Sequence, residues 1–379
     1  MLIDYETLKL VWWLFVGVLL IGFAITDGMD MGVGNLLPFV GKTDDERRLM
    51  INTVGPHWDG NQVWLITAGG AIFAAWPVVY AAAFSGFYVA MLLVLFALFF
   101  RPVGFDYRSK LGDARWRKAW DWGLFIGGAV PSLVFGVAFG NLLLGVPFHL
   151  DELMRAYYTG GFFELLNPFA LLAGIVSFSL LTMHGGVWIQ MRTTGQIIER
   201  VKTWILWTGI AAMTAFALAG IWLSMGIEGQ AIVSQPALDA LPDPLAKTVE
   251  IVPGAWLQNY HDYPIAWIFP ALGFIGVILT IILSHSNRPG WGFFCSSLAI
   301  SGVIMTAGIA LFPFVMPSST HPGSSLTVWD APSSHLTLTV MFWAVVVFLP
   351  IVIAYTVWNY RKMWGRLSID EMHQRTSAY

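Results

Sequence analysis

The chain has 379 residues, 57% of them hydrophobic and only 11% charged, against roughly 25% charged in an ordinary soluble domain. Its net charge of −3 is spread through short connections, so no basic surface for nucleic acid is expected. The single cysteine, Cys295, excludes an intrachain disulfide and a cysteine-based metal centre.

Uncharged runs of the ~20 residues needed to cross a bilayer core recur along the chain. They predict an all-α polytopic membrane protein, with residues 1–379 forming a single integral membrane domain. Met1 to Leu10 lacks a basic n-region, and the following apolar run is longer than a signal-peptide core, which predicts a retained first helix. Nine spans are expected. The first runs from about Leu8 to Gly28 and ends in Thr26-Asp27-Gly28-Met29-Asp30-Met31-Gly32. The second, Asn52 to Ala75, is broken by Trp76-Pro77 from the third, Val78 to Phe100. The fourth covers Trp120 to Leu144, the fifth Phe163 to Gln190 and the sixth Trp204 to Met225. A polar connection of about 226–262 precedes the last three, Tyr263 to Leu283, Trp291 to Phe312 and Leu336 to Tyr360. No fixed-period internal repeat is visible.

Lys and Arg in alternate connections set the orientation. The connections after spans one, three, five and seven, with the C-terminal tail, hold 17 of the chain's 20. Only Lys9, Arg155 and Lys247 lie on the other side. The N-terminus is therefore expected outside (periplasmic) and the C-terminus in the cytoplasm.

Pro56-His57-Trp58-Asp59-Gly60-Asn61-Gln62-Val63-Trp64 opens the second span with an imidazole, a carboxylate and two amides. Ionisable groups in a membrane segment are costly and read first as a functional site. Asp59 lies about seven residues into that span, roughly 10 Å deep at 1.5 Å per residue. Asp27 and Asp30 fall at the same level, so three carboxylates with His57, Asn61 and Gln62 would gather within reach of cytoplasmic water. Carboxyls and imidazoles suit proton transfer. The bland alternative places Asp27 and Asp30 in interfacial water at a helix end and Asp59 in a first turn, favoured by the helix dipole. Arg101 adjoins the third span directly, where its guanidinium could pair with Asp27 or Asp30; the basic residues after it read as topology determinants. Gly69-Gly70-Ala71 with Ala74-Ala75, and Ala81-Ala82-Ala83 to Gly86, offer small-residue faces for close packing on other helices.

Of the eight histidines, only His57 and His184 fall clearly within spans, and no two share a helix at ligand spacing. No metal site is expected, and a lone helical histidine is usually a hydrogen-bonded core residue.

Gly55-Pro56-His57-Trp58-Asp59-Gly60-Asn61-Gln62-Val63-Trp64 resembles subunit II of the cytochrome bd-type quinol oxidases. So do Thr26 to Gly32, Phe99 to Arg108 and Phe312-Pro313-Phe314-Val315-Met316-Pro317-Ser318, and the likeness covers nearly the whole chain. The resemblance implies two four-helix bundles plus a ninth helix, in a bacterial inner-membrane complex that oxidises quinol outside and reduces oxygen to water with cytoplasmic protons. It implies that haem b and haem d sit on a larger subunit I, that small single-helix accessory subunits can join, and that quinol and lipid are partners. It also implies a proton route through this subunit, with Asp59 the leading position beside His57, Asp27 and Asp30, and a structural quinone in the apolar body. The other function classes weighed are a proton-coupled secondary transporter, with buried carboxylates in interrupted helices, and a scaffold without chemistry.

Because His57 and His184 have no evident axial partners, the chain expressed alone is expected to bind no haem. A visible spectrum of the purified chain checks this: no Soret band should appear, whereas a stoichiometric one would overturn it.

Overall fold

The computed structural model describes residues 3–374. Helix α1 (Tyr5–Val40) is capped by Asp4, whose side chain accepts from the Thr7 amide. It is followed by α2 (Asp44–Asn52), α3 (Trp58–Ala75), α4 (Pro77–Gly86), α5 (Tyr88–Leu98) and α6 (Phe100–Tyr107). Long helices α7 (Ala114–Leu144), α8 (Pro168–Arg192) and α9 (Ile197–Gly226) come next, then short α10 (Gln258–Asp262). The chain continues with α11 (Ile268–His285), α12 (Pro289–Leu311), α13 (His335–Lys362) and α14 (Ile369–Gln374). Three two-stranded antiparallel hairpins lie in the connections: β1 (Phe148–Leu150) with β2 (Ala156–Tyr158), β3 (Glu228–Ser234) with β4 (Thr248–Pro253), and β5 (Phe314–Met316) with β6 (Leu326–Thr327). The polar connection of 226–262 is thus built around a hairpin.

Among the described residues, eight helices are long and apolar enough to cross a membrane, with α5 and α6 counted as one. This is a multi-pass membrane protein. The second of the nine expected spans is the one outside that set. It is α3, 18 residues long, whose first turns carry Asp59, Asn61 and Gln62.

The first span departs furthest from expectation. Instead of ending near Gly28, α1 runs on to Val40, so Asp27 and Asp30 are inside the helix and buried. Its 36 residues reach about 54 Å at 1.5 Å per residue, well beyond a core of about 30 Å. The glycines that suggest a stop serve packing instead. A Cβ on Gly32 would run into the backbone of α8 at Leu181 and Gly185, and one on Gly185 would strike Gly32 in return. Close approach of this kind replaces the hydrophobic drive that lipid cannot supply. Around α1 stand α3, α7, α8 and α12; α8 packs in turn on α9, and α11 on α12 and α9. The main core gathers Met29, Met31, Leu36, Leu37, Met183, Val187 and Trp188 at these crossings.

The small-residue faces behave differently from one another. Gly86 packs on Tyr158 of β2, to within 2.9 Å of where its Cβ would be, rather than on a helix. Gly60, Gly69 and Gly70 of α3 meet nothing within 4 Å of a Cβ. They share an uncovered stripe with Asp59, Val63, Ile66 and Phe73. On α13 only Leu338 is buried.

At the arginine-rich end a second charged network fastens the connections. Arg108 holds Asp121 of α7 at 2.6 Å and Asp44 of α2 at 2.8 Å, Arg47 holds Asp121 at 2.9 Å, and Arg117 reaches Asp44. Arg200 of α9 joins it through Glu46 and the Val40 carbonyl. Burial would lift the Asp44 carboxyl, but hydrogen bonds from Arg117 and Arg108 outweigh it and hold the group below its usual value. A depressed carboxyl contributes its stability at neutral pH and loses it as pH falls through the folded-state value.

Replacing Gly185 with Val should lower the amount of folded protein in membranes severely, because the added carbons would occupy the α1 backbone; Gly69→Val, in open space within this chain, should be milder. Quantifying the tagged protein in membranes by immunoblot checks the order, and equal yields would contradict the α1–α8 crossing.

Candidate functional site

Three elements bring a cluster of ionised and polar side chains together inside the helices. From α1 come Asp27 and Asp30, 0% and 2% exposed; from α6 comes Arg101, 2% exposed; α3 and the turn before it supply Asn61 and His57. Arg101 grips Asp27 with both arms of its guanidinium, Nη1 to Oδ2 at 2.8 Å and Nη2 to Oδ1 at 2.5 Å. The same Nη2 lies 3.6 Å from Oδ2 of Asp30. This fork is what arginine offers and lysine does not. Gly127 of α7 makes room for it, since a Cβ there would sit 2.9 Å from Arg101 Cγ. The Trp58 ring lies 5.7 Å from the guanidinium carbon.

From Asp30 the polar line continues. Asn61 Nδ2 donates to Asp30 Oδ2 at 2.8 Å and lies 3.1 Å from His57 Nδ1, while the Tyr360 hydroxyl of α13 donates to Asn61 Oδ1 at 2.6 Å. The His57 ring packs 4.8 Å from that of Tyr360 and 5.6 Å from that of Trp188. Among the described residues, Asp30 Oδ1 and His57 Nε2 are buried with no hydrogen-bond partner. Two carboxylates and one guanidinium carry a formal charge of −1, and one added proton makes the trio neutral. A group of this kind can take up and hand on a proton at fixed positions without moving a helix.

Of the residues expected at the site, Asp27, Asp30, His57, Asn61 and Arg101 are brought together and the proposed Arg101 pairing is present. Asp59 is not with them. It is exposed in the first turn of α3, one residue after the helix begins, and has no hydrogen-bond or ion-pair partner among the described residues. The expectation of seven residues of depth fails because the chain before Trp58 turns rather than extending the helix. Gln62 is half-buried and also outside the cluster. Tyr360 escaped the sequence reading, although it ends a span at the same membrane level; Asp121 escaped it too, standing between Trp120 and Trp122 that read as interface anchors.

The two histidines within spans differ in what their rings offer. His184 uses both ring nitrogens, Nδ1 with Ser296 Oγ at 2.7 Å and Nε2 with the Ile25 carbonyl at 3.0 Å. His57 Nδ1 is engaged by Asn61, while its Nε2 has no partner among the described residues.

The family model described as cytochrome bd terminal oxidase subunit II matches residues 8–363. Cytochrome bd-I ubiquinol oxidase subunit 2 of Escherichia coli (strain K12) is 57% identical over 377 residues, covering 100% of both chains. Cytochrome bd ubiquinol oxidase subunit 2 of Bacillus subtilis (strain 168) is 34% identical over 364 residues, 95% of this chain and 97% of the relative. A chain from the structure of bd oxidase from Geobacillus thermodenitrificans superposes with a TM-score of 0.68 over 94% of this chain and 98% of its own, at 13% identity, a likeness of fold.

Arg101→Ala would leave Asp27 buried without its partner, a loss of about 3–5 kcal/mol for a pair of this kind. It should therefore cut assembled complex or turnover far more than Arg115→Ala, whose side chain is exposed. Side-by-side yield and oxygen-consumption assays decide, and equal effects would remove the case for the pair.

Proposed function

This chain belongs to the cytochrome bd terminal oxidase subunit II family, and on that premise we propose that its buried polar cluster and its outward-facing Asp59 carry protons toward oxygen reduction on a haem-bearing partner. As a family member it is a subunit of a quinol:O2 oxidoreductase. The transporter reading gives way to that membership, and the scaffold reading remains as the competitor to be tested.

The observation that carries the proposal is the line Asp30–Asn61–His57, buried within membrane helices at the arginine-rich end. Reducing oxygen to water consumes protons, and a site inside a membrane partner must receive them along side chains and water. With 17 of 20 Lys and Arg at or beyond this end of the helices, we read it as the cytoplasmic face, in a bacterial inner membrane. We also count α3 as a ninth span. Its partial polarity fits a helix that faces protein along one side.

Asp59 supports the same reading from the outside. A carboxylate on a lipid-facing helix is expensive, so the uncovered stripe of Asp59, Val63, Ile66 and Phe73, with the bare surface of α13, is read as the seat of the haem-bearing subunit I. On that reading Asp59 stands at the boundary between subunits, where a proton would pass from one to the other. Asp59 also stands in the first turn of α3, where the helix dipole favours a carboxylate, and that structural role is the competitor its amide variant tests.

A cavity of about 550 Å³ between α1, α7, α8, α9, α11 and α12 supports a further part of the reading. Its walls include Phe23, Phe135, Leu180, Phe216, Phe274 and Ile300, with few polar groups. That suits the isoprenoid tail of a structural quinone better than a reacting head group.

Asp59→Asn keeps the shape and removes the proton. It should slow oxygen consumption by roughly 10²-fold, by analogy with general acid–base groups, while haem content stays normal; Asp59→Glu should retain more activity. Quinol oxidation at the parental rate by fully assembled Asp59→Asn complex, across the working pH range, would favour the scaffold.

A further inference from the structure

At the arginine-rich membrane boundary, separated from His57 by the Trp188 ring, a cavity of about 510 Å³ opens between the end of α8, the start of α12 and the segment after α13. Arg192, Arg288 and Arg366 line it with Trp291 and Trp364, and no carboxylate is among its walls within the described residues. We propose that this cavity binds the phosphate head group of an anionic phospholipid of the adjoining leaflet, with the acyl chains lying along α11 and α12.

Several features make it a built site rather than a loose basic patch. Arg192 is 5% exposed and fixed in place: Nη2 donates to the Met363 carbonyl at 2.6 Å, and its guanidinium carbon lies 5.4 Å and 5.3 Å from the rings of Trp188 and Trp364. The Leu367 amide donates to the Arg192 carbonyl at 2.8 Å, which ties the C-terminal wall to α8. The side chains of Arg288 and Arg366 are exposed and have no ion-pair or hydrogen-bond partner among the described residues, so their charge is available to a ligand. Arg288 is the N-cap of α12 and Pro289 its first residue, so the first-turn amides and the helix dipole add to an anion's attraction. Nothing lies within 4 Å of a Cβ built on Gly290 or on Gly365, which keeps both sides of the mouth open.

The apolar side of the site decides for a lipid over a free anion. Trp291 is 64% exposed, and one turn on along α12 Phe294 is 53% exposed; Ile282 of α11 is 53% exposed beside them. Indole rings at a membrane boundary and basic pockets between helices on the positive side are the features by which anionic head groups are held. An inorganic phosphate would use the arginines and leave this wall unexplained. The inference needs only the membrane reading and does not depend on the proton route.

Native mass spectrometry of the intact haem-containing complex, stripped of lipid and re-equilibrated, provides the test. The probes are dioleoylphosphatidylglycerol, dioleoylphosphatidylcholine and inorganic phosphate. The parental complex should retain one phosphatidylglycerol that the Arg288→Ala/Arg366→Ala variant binds about thirty-fold more weakly, at roughly five-fold for each basic residue near a membrane surface. The Arg288→Lys/Arg366→Lys variant should keep most of the affinity, phosphatidylcholine should bind more weakly, and millimolar phosphate should not displace the lipid. Gly290→Trp, which fills the mouth without touching charge, should lose the lipid too and serves if the alanine pair assembles poorly. Equal retention by the parent and by the alanine and Gly290→Trp variants, equal binding of the two lipids, or displacement by inorganic phosphate would each overturn the proposal.

Discussion

One guanidinium shared by two carboxylates, buried among membrane helices, constrains much of this structure. Bringing Arg101, Asp27 and Asp30 out of water carries a desolvation cost that only close geometry and further hydrogen bonds can offset. The two-armed contact of Arg101 with Asp27 supplies the geometry, and Asn61 supplies a hydrogen bond to Asp30. Satisfying them draws α1, α3 and α6 together at one level, while Gly127 gives Arg101 its space and Gly32 and Gly185 let α8 close on the other side of α1. The pair is not primarily a source of stability, since apolar residues could fill the same volume at lower cost. What it provides is a fixed, charged group deep in the protein, and that is the property a proton-handling site needs.

The distribution of covered and bare surface completes the picture. The core around α1, α7 and α8 is closed, whereas α13 is buried at Leu338 alone and α3 turns Asp59 and three glycines outward. Tyr360 links these two regions, because it leaves the outermost helix to reach Asn61 inside. A partner seated on α3 and α13 would therefore lie within one side chain of the buried cluster, which gives the proton reading a short physical route without any helix rearranging.

Much of the architecture was legible because apolar runs of membrane length are a strong signal: the bounds expected for the spans of α7, α9, α11, α12 and α13 fall within a few residues of the helices found, apart from the start of α7 and of α9. The misreadings share a cause. Thr26 to Gly32 carries two aspartates and two glycines, which in water would end a helix; here an arginine 74 residues away neutralises the first, and packing uses the second. Depth along α3 could not be read either, because a turn from Thr53 to His57 stands where the expected span would already be helical, and α3 begins only at Trp58. The pairing of Arg101 was accessible, since a basic residue directly abutting an apolar run must find an anion at its own level. Arg108, with the same need, finds Asp121, which lies between Trp120 and Trp122 at the start of the expected fourth span.

Proton uptake during a single turnover separates these roles most directly. Fully reduced complex is mixed with oxygen in weak buffer, and a pH indicator follows the protons taken up while absorption follows the haems. Asp30→Asn, isosteric and still able to bond Asn61, should leave haem content and electron transfer to oxygen intact while slowing proton uptake by ten-fold or more, within the range for loss of a single acid–base group. Uptake at the parental rate in that variant, with the normal spectrum, would show that protons bypass the cluster and that Arg101, Asp27 and Asp30 serve the fold alone.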